Sequence, residues 1–293
     1  MSEITYISEE LVMEGNLDSA GSSVVVAGRF KGELRAKDVL LEANSIFDGN
    51  LVAEGGVAAW FATKDVADRV VYSDIGDDGA LALLDTDALS GHEQDFADDL
   101  GIALEDVTDY FNWNLGMDVD DEDKDGNKTD MRGDVFGDPL HSKPLVVNYG
   151  TSIRIVIGTN AGALHMFEDA GNTVSEKWAF MPTELFPNIA GLRDNFSSAS
   201  KIYGIDGQIT SHVNDKDGDG VIETGDTVWI FFGLRRGGDS YYALDISNPD
   251  SPSMMWHIKG GSTGFEYLGQ TWSQPKVGYS KLNLSGNVAS PVL

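Results

Sequence analysis

The stretch Thr227-Val228-Trp229-Ile230-Phe231-Phe232-Gly233-Leu234-Arg235-Arg236-Gly237-Gly238-Asp239-Ser240-Tyr241-Tyr242-Ala243-Leu244-Asp245-Ile246 decides how this chain folds. Two runs rich in β-branched and aromatic residues flank a glycine-rich turn, the pattern of paired strands. Working outward, the same pattern recurs. Strands are expected at 208–213, 227–233, 240–246 and 253–258, and before them at 144–147, 153–158, 163–167 and 176–180. The two sets correspond: Val156-Ile157-Gly158 matches Phe231-Phe232-Gly233, and Trp178 matches Trp256. A run over 274–279 would start a third set and leave an exposed sheet edge near 271–279. Short strands in fours, separated by Gly/Asn/Asp turns, are the pattern of β-propeller blades.

Between the first two strands of the second set lies Asp215-Lys216-Asp217-Gly218-Asp219-Gly220-Val221-Ile222-Glu223-Thr224-Gly225-Asp226. Calcium takes about 6–8 oxygen ligands, and twelve-residue calcium loops place them at fixed offsets. Here Asp215, Asp217, Asp219 and Asp226 would supply carboxylates and Val221 a main-chain carbonyl, with Gly220 allowing the sharp turn. The alternative is a solvated acidic turn, since Asp and Gly also dominate ordinary turns. Strands rather than helices flank the loop, so a bound ion would staple a hairpin instead of opening and closing a helix pair. A second, less regular metal-site candidate lies at Asp121, Asp123, Asp125 and Asn127. Read from Asp121, its twelfth position is Arg132; read from Asp123, Lys128 replaces the turn glycine. A solvated acidic linker is the competing reading. Arg132-Gly133-Asp134 is an integrin-type tripeptide that counts only on an exposed loop tip.

Residues 1–54 carry a repeat. Gly15-Asn16-Leu17, Gly32-Glu33-Leu34 and Gly49-Asn50-Leu51 recur every 17 residues, with Met13, Phe30 and Phe47 two residues before each glycine. Fixed apolar positions at a short period predict stacked β-solenoid coils, an ordinary β-meander being the alternative. Residues 55–134 read as a mixed connector with an acidic loop. A short helix is expected at 58–67 and a strand at 69–73, while 80–84 is an apolar run of undecided type. Phe96, Leu100, Leu104, Val107 and Phe111 recur at helical spacing, with Gly101 as a break, and read as core. The expected architecture is therefore mainly β: solenoid coils over 1–54, a small helical connector over 55–134, and a partial, two- to three-blade propeller over 135–293.

Composition narrows the function. Twenty basic against 48 acidic residues give a net charge of −28, which argues against nucleic acid, whose phosphates need basic surface. No cysteine is present, so disulfides and thiolate sites are excluded. No apolar window approaches the roughly 18 residues of a spanning helix. Residues 1–20 are acidic and lack the basic and apolar regions of a signal peptide. The histidines, His92, His141, His165, His212 and His257, are scattered, and His165, in a strand motif, reads as a satisfied core residue. No nucleophile–histidine–acid grouping is visible, so no catalytic residue is assigned, no cofactor other than calcium is expected, and the chain is not expected to be an enzyme.

Two family resemblances follow from these residues. Met13-Glu14-Gly15-Asn16-Leu17, the run from Val24 to Lys37, and Asp48-Gly49-Asn50-Leu51-Val52-Ala53-Glu54 resemble the bactofilins, cytoskeletal polymer formers with a right-handed β-helix. That resemblance implies self-association through the N-terminal coils. Gly133-Asp134-Val135-Phe136-Gly137-Asp138-Pro139-Leu140-His141-Ser142-Lys143-Pro144, then Gly158-Thr159-Asn160-Ala161-Gly162-Ala163-Leu164-His165-Met166-Phe167, then Phe232 to Ser247, are similar to the PilC-type propeller of type IV pilus tip adhesins. This likeness runs over about 55–285 and implies a cell-surface or pilus-associated protein, although no signal peptide is visible. It also implies pilins or minor pilins and host or abiotic surfaces as partners, with calcium regulating pilus extension and attachment. The resemblance implies propellers of about seven blades, within the usual range of roughly 4–8, and this sequence accounts for little more than two. The missing signal peptide and the bactofilin resemblance point instead to the cytoplasm, a conflict that a truncated or rearranged reading frame reconciles. The family's best-known calcium loop lies in a later blade, so calcium at 215–226 stands on its own spacing. Propellers of this general type also hold quinones, but the adjacent cysteine pair of those enzymes is missing.

Overall fold

The computed structural model describes residues 4–41, 45–53, 57–76, 79–122, 124–171, 173–195, 201–285 and 288–292. The first sheet contains β1 (Ile4–Ile7), β2 (Val12–Val26), β3 (Arg29–Leu41) and β4 (Ile46–Ala53), parallel and in that order. Its register sets Gly15 opposite Gly32 opposite Gly49, and Leu17 opposite Leu34 opposite Leu51. The sequence period is thus the ladder offset: the chain returns beside itself every 17 residues along this run. The repeated glycine has a steric cause. Gly32 has φ +137°, a conformation that favours glycine, and a Cβ there would run into the carbonyl oxygen of Gly15. Ile7, Val24, Val26, Phe30, Leu34 and Ala36 form the buried cluster of this sheet, and the Phe30 and Phe47 rings stack at 5.4 Å.

The connector supplies helices α1 (Val57–Phe61), α2 (Thr86–Leu89), α3 (Glu93–Leu100) and α4 (Val107–Leu115), together with β5 (Val71–Ser73) and β6 (Ala82–Leu83). Gly101 (φ +68°) and Gly116 (φ +112°) end α3 and α4 in the left-handed conformation that closes helices. Phe96 on α3 meets Phe111 on α4 edge-on at 5.8 Å, so the helical spacing read from the sequence is core packing. The strands of the connector do not stand apart. Strands β7 (Leu145–Asn148), β8 (Ile153–Gly158), β9 (Leu164–Asp169) and β10 (Val174–Phe180) form an antiparallel meander, β5 pairs parallel to β10, and β6 pairs with β5. The undecided run at 80–84 becomes this edge strand. A 3₁₀ turn (Thr183–Asn188) and α5 (Ile189–Arg193) follow β10.

The third sheet is the antiparallel meander β11 (Thr210–Asn214), β12 (Thr227–Gly233), β13 (Ser240–Asp245) and β14 (Ser253–Lys259). It shares one core with the second sheet: Val156, Met166, Trp178 and Phe180 from one side, Val228, Ile230, Phe232 and Tyr242 from the other. Each such large side chain, when fully buried, contributes about 1.5–3 kcal/mol. Polar ties fix the register between the sheets: Trp178 Nε1 donates to the Pro249 carbonyl at 2.8 Å, and the Tyr149 hydroxyl to the Ile246 carbonyl at 2.6 Å. The strand expected at 274–279 is displaced. Pro275 has no amide to donate, its carbonyl accepts from Thr210 Oγ1 at 2.7 Å, and the Ser273 carbonyl accepts from the Tyr241 hydroxyl at 3.0 Å. The strand begins only at Gly278, as β15 (Gly278–Ser285), which pairs with β16 (Val288–Val292).

Candidate metal centre

The loop 215–226 runs from the end of β11 to the start of β12, so strands hold both its ends. Three glycines, Gly218, Gly220 and Gly225, take positive φ of +76°, +84° and +101°, which lets the chain fold back on itself. Asp215 accepts from the Gly218 amide at 2.7 Å and from the Gly220 amide at 2.8 Å. Asp219 accepts from the Val221 amide at 2.8 Å. Carboxylate oxygens of Asp215, Asp217 and Asp219 lie within 4.8 Å of one another. Among the described residues, this is the grouping of three metal-ligating side chains with such spacing.

The electrostatics follow from that crowding. The Gly220 and Gly218 amides hold the Asp215 carboxyl below its ordinary value. At Asp217 the Asp219 amide favours the charged form, but the hydrogen bond shared with Asp215 and the negative charges of Asp219 and Asp215 outweigh it and push the group up. Like-charge crowding of this kind is what a divalent cation relieves. Asp226 lies outside the trio. Its carboxylate accepts from the Lys216 amide at 3.2 Å and the Glu223 amide at 3.1 Å, so it closes the two ends of the loop on each other. Val221 packs toward the turn after β7, and the Ile222 amide donates to the Asn148 carbonyl at 2.8 Å. The Ile222 side chain is buried in the core shared by the second and third sheets. The loop therefore sits on the seam between two sheets, a placement that twelve-residue spacing does not reveal.

The second acidic run is arranged differently. Asp121 accepts from the Gly126 amide at 3.0 Å, Asp125 from the Asn127 amide at 2.6 Å, and Asn127 from the Thr129 amide at 3.1 Å. These are turn-forming contacts, and Asp123 lies outside the described residues. Asp121 and Asp125 do not join a three-ligand group among the described residues. The Arg-Gly-Asp tripeptide does not meet its own condition: Arg132 is buried at 7% exposure, stacks 3.8 Å from the Trp113 ring centroid, and donates to Asp134 at 2.9 Å.

Two polar clusters escaped the sequence reading. Ser240 Oγ lies 3.1 Å from His257 Nε2, and His257 Nδ1 lies 3.8 Å from Asp74. The order is that of a nucleophilic triad, but the Ser240 hydroxyl is fully buried and donates to Glu184 at 2.8 Å, so it is not presented to a substrate. The Tyr242 hydroxyl also donates to Glu184, at 2.7 Å, and burial followed by the Glu184 charge pushes that phenol up. In the other cluster Glu176 accepts from Arg69 Nε at 2.7 Å and from His165 Nδ1 at 2.6 Å. His165 has no exposed surface, and burial pushes its pKa down against the pull of Glu176. Neither cluster has a short-range sequence signal, since its members come from distant segments.

Fold and site together define a mainly β protein of several sheets, one parallel and two built on antiparallel four-strand meanders, with a carboxylate-clustered turn set between two strands. No family model matches the chain. It is similar to the type IV pilus biogenesis factor PilY1 of Pseudomonas aeruginosa (strain UCBPP-PA14), 31% identical over 174 residues that cover 50% of this chain and 14% of that protein. A PilY1 homolog from Xylella fastidiosa (strain Temecula1) is 27% identical over 186 residues, covering 54% of this chain and 14% of the homolog. The crystal structure of the Pseudomonas aeruginosa PilY1 C-terminal domain matches 44% of this chain and 23% of its own at 24% identity, with a TM-score of 0.30. The match to each of these two curated relatives thus spans 14% of the relative's length. The resemblance to type IV pilus proteins holds at the level of type IV pilus biogenesis factors.

Proposed function

We propose that the chain is a calcium-binding module of a type IV pilus biogenesis and surface-adhesion protein. The observation that carries this reading is the similarity to PilY1 over half of the chain. In this account 1–54 form solenoid coils, the second and third sheets are two propeller blades, and β15–β16 belong to a third. Four-stranded antiparallel meanders sharing one core support the blades; a parallel ladder that holds the 17-residue offset over Val12–Ser19 and Arg29–Ala36 supports the coils. Calcium is assigned to Asp215, Asp217 and Asp219, with Asp226 and the Val221 carbonyl completing the set. Its supports are the loop spacing and the clustering of the three carboxylates. The ion would order the turn on which Ile222 depends. Pilins or minor pilins and a host or abiotic surface are the proposed partners, at the cell surface or on the pilus, and no catalytic step is assigned.

The test is restoration of surface motility in a host strain whose own PilY1-type gene is deleted. A protein carrying this chain in place of the matching segment should restore pilus-dependent movement. Wild-type transport and folding of the chimera without movement would contradict the pilus role. A second reading, a bactofilin-like polymer, is favoured by the parallel ladder alone. Sedimentation of the full chain against one lacking 1–53 distinguishes them: polymers lost on deletion support it, and monomers in both cases oppose it.

A further inference from the structure

A cleft of about 500 Å³ opens among the segments that lead into β7, β11 and β15 and the turn between β12 and β13. Two of these segments share a Ser-x-Pro pattern, Ser142-Lys143-Pro144 and Ser273-Gln274-Pro275. Among the described residues, the lining includes His141, Lys143, Gln208, Arg235, Trp272 and Gln274, and no aspartate or glutamate. In a chain with 48 acidic and 20 basic residues, such a wall is the reverse of the composition at large.

Arg235 is held in place from several directions. It sits at φ +54°, its amide donates to Thr271 Oγ1 at 3.1 Å, and its guanidinium lies 4.9 Å from the Trp272 ring centroid. Nη1 donates at 2.9 Å to Asp206, whose side chain is fully buried and also accepts from His141 Nδ1 at 2.8 Å. Among the described residues, Arg235 Nε and Nη2 have no hydrogen-bond partner, and Lys143 has no carboxylate partner. Asp206 offsets one positive charge, so Arg235 and Lys143 together leave the cleft cationic.

We propose that this cleft binds a carboxylate group, with the open Nε–Nη2 edge of Arg235 facing its two oxygens and Lys143 and His141 beside them. A guanidinium edge matches a planar carboxylate in a way that a point charge does not. The overall charge of −28 does not override this, because at physiological ionic strength fields fade over about 8 Å and the nearest groups decide. The carboxylate can come from a small acid or from an acidic side chain of a peptide, since both present the same pair of oxygens.

Calorimetry on the full chain tests the proposal, with succinate and a blocked triglutamate peptide as probes, inorganic phosphate as comparison, and sodium chloride holding ionic strength constant. Saturable binding of at least one carboxylate probe is expected, and Lys143→Gln and Arg235→Gln should each weaken it roughly tenfold or more, as for a hydrogen bond to a charged group. Succinate binding alone identifies a small acid; peptide binding identifies a side-chain source. Because Arg235→Gln also strips a buried carboxylate of a partner, the exposed Lys143→Gln is the decisive variant. Binding by neither probe, affinity unchanged in Lys143→Gln, or phosphate bound as tightly as the carboxylates would overturn the assignment. No residue of 215–226 lines the cleft, so this proposal and calcium binding stand or fall separately.

Discussion

At Glu176 burial alone would push the carboxyl up, but the Arg69 guanidinium and the His165 hydrogen bond outweigh it and hold the group at about 2. Arg69 comes from the connector and Glu176 from β10, so one ion pair between side chains 3% and 1% exposed ties the two segments together. Glu176→Gln leaves the Arg69 charge short of its partner in the interior, and should cost about 3–5 kcal/mol. The pH dependence has a definite sign. A depressed carboxyl binds its proton less readily in the folded state, so its contribution is full above the ordinary value of 4.5 and is lost as pH falls towards about 2. His165, depressed from 6.5, adds a loss that begins below that value. Urea unfolding from pH 7 down to pH 3 should show stability falling in both windows, with the lower fall smaller in Glu176→Gln, since Asp215 and Asp120, also held low, still contribute to it. A strand in 69–73, formed over Val71–Ser73, and a satisfied core histidine at 165 were legible in the sequence. Their pairing was not, because 107 residues separate Arg69 from Glu176 and no local pattern encodes the contact.

Elements show where period is enough and where it is not. The 17-residue repeat matched the ladder of the first sheet because Gly15, Gly32 and Gly49 stand opposite one another, and at Gly32 a side chain would collide with the strand beside it. Gly15 and Gly32 separate two causes of strain: both have positive φ, but only at Gly32 would a Cβ strike backbone, while at Gly15 nothing lies within 4 Å. Gly15→Ala should cost about 1–3 kcal/mol from conformation alone, and Gly32→Ala more, as read by thermal melting of the two variants. The strands of the third sheet were legible from their β-branched and aromatic runs, 227–233 to the residue. The strand placed at 274–279 was not, since Pro275 and the Thr210 contact keep that segment out of a ladder. In the loop, Ile222 is the residue that spacing undervalues. Ile222→Ala should cost about 2–5 kcal/mol as a buried truncation and weaken calcium binding as well, because it loosens the turn that brings the aspartates together; calorimetry on the variant checks the second effect.

Across the whole molecule, the second and third sheets behave as one packed unit, with the acidic loop lying on their seam. Asn148 on β7 accepts from the loop at Ile222, while Asp215 and Asp226 flank the gap between β11 and β12. A cation at this point would act on the packing of two sheets rather than on one hairpin. Binding to the folded state alone adds about 2.7 kcal/mol at a hundredfold excess over Kd, so calcium should raise the urea midpoint and chelator should return it. The mainly β character and the recurrence of four strands were legible in the sequence, and so was the carboxylate trio. The seam was not, because it depends on which sheet faces meet. The most direct measurement is a calorimetric calcium titration of the full chain beside the Asp217→Ala, Asp219→Ala double variant. The account predicts one saturable site at 215–226 in the native chain and its loss in the variant; native protein that takes up no calcium, or a variant that binds it unchanged, would contradict it.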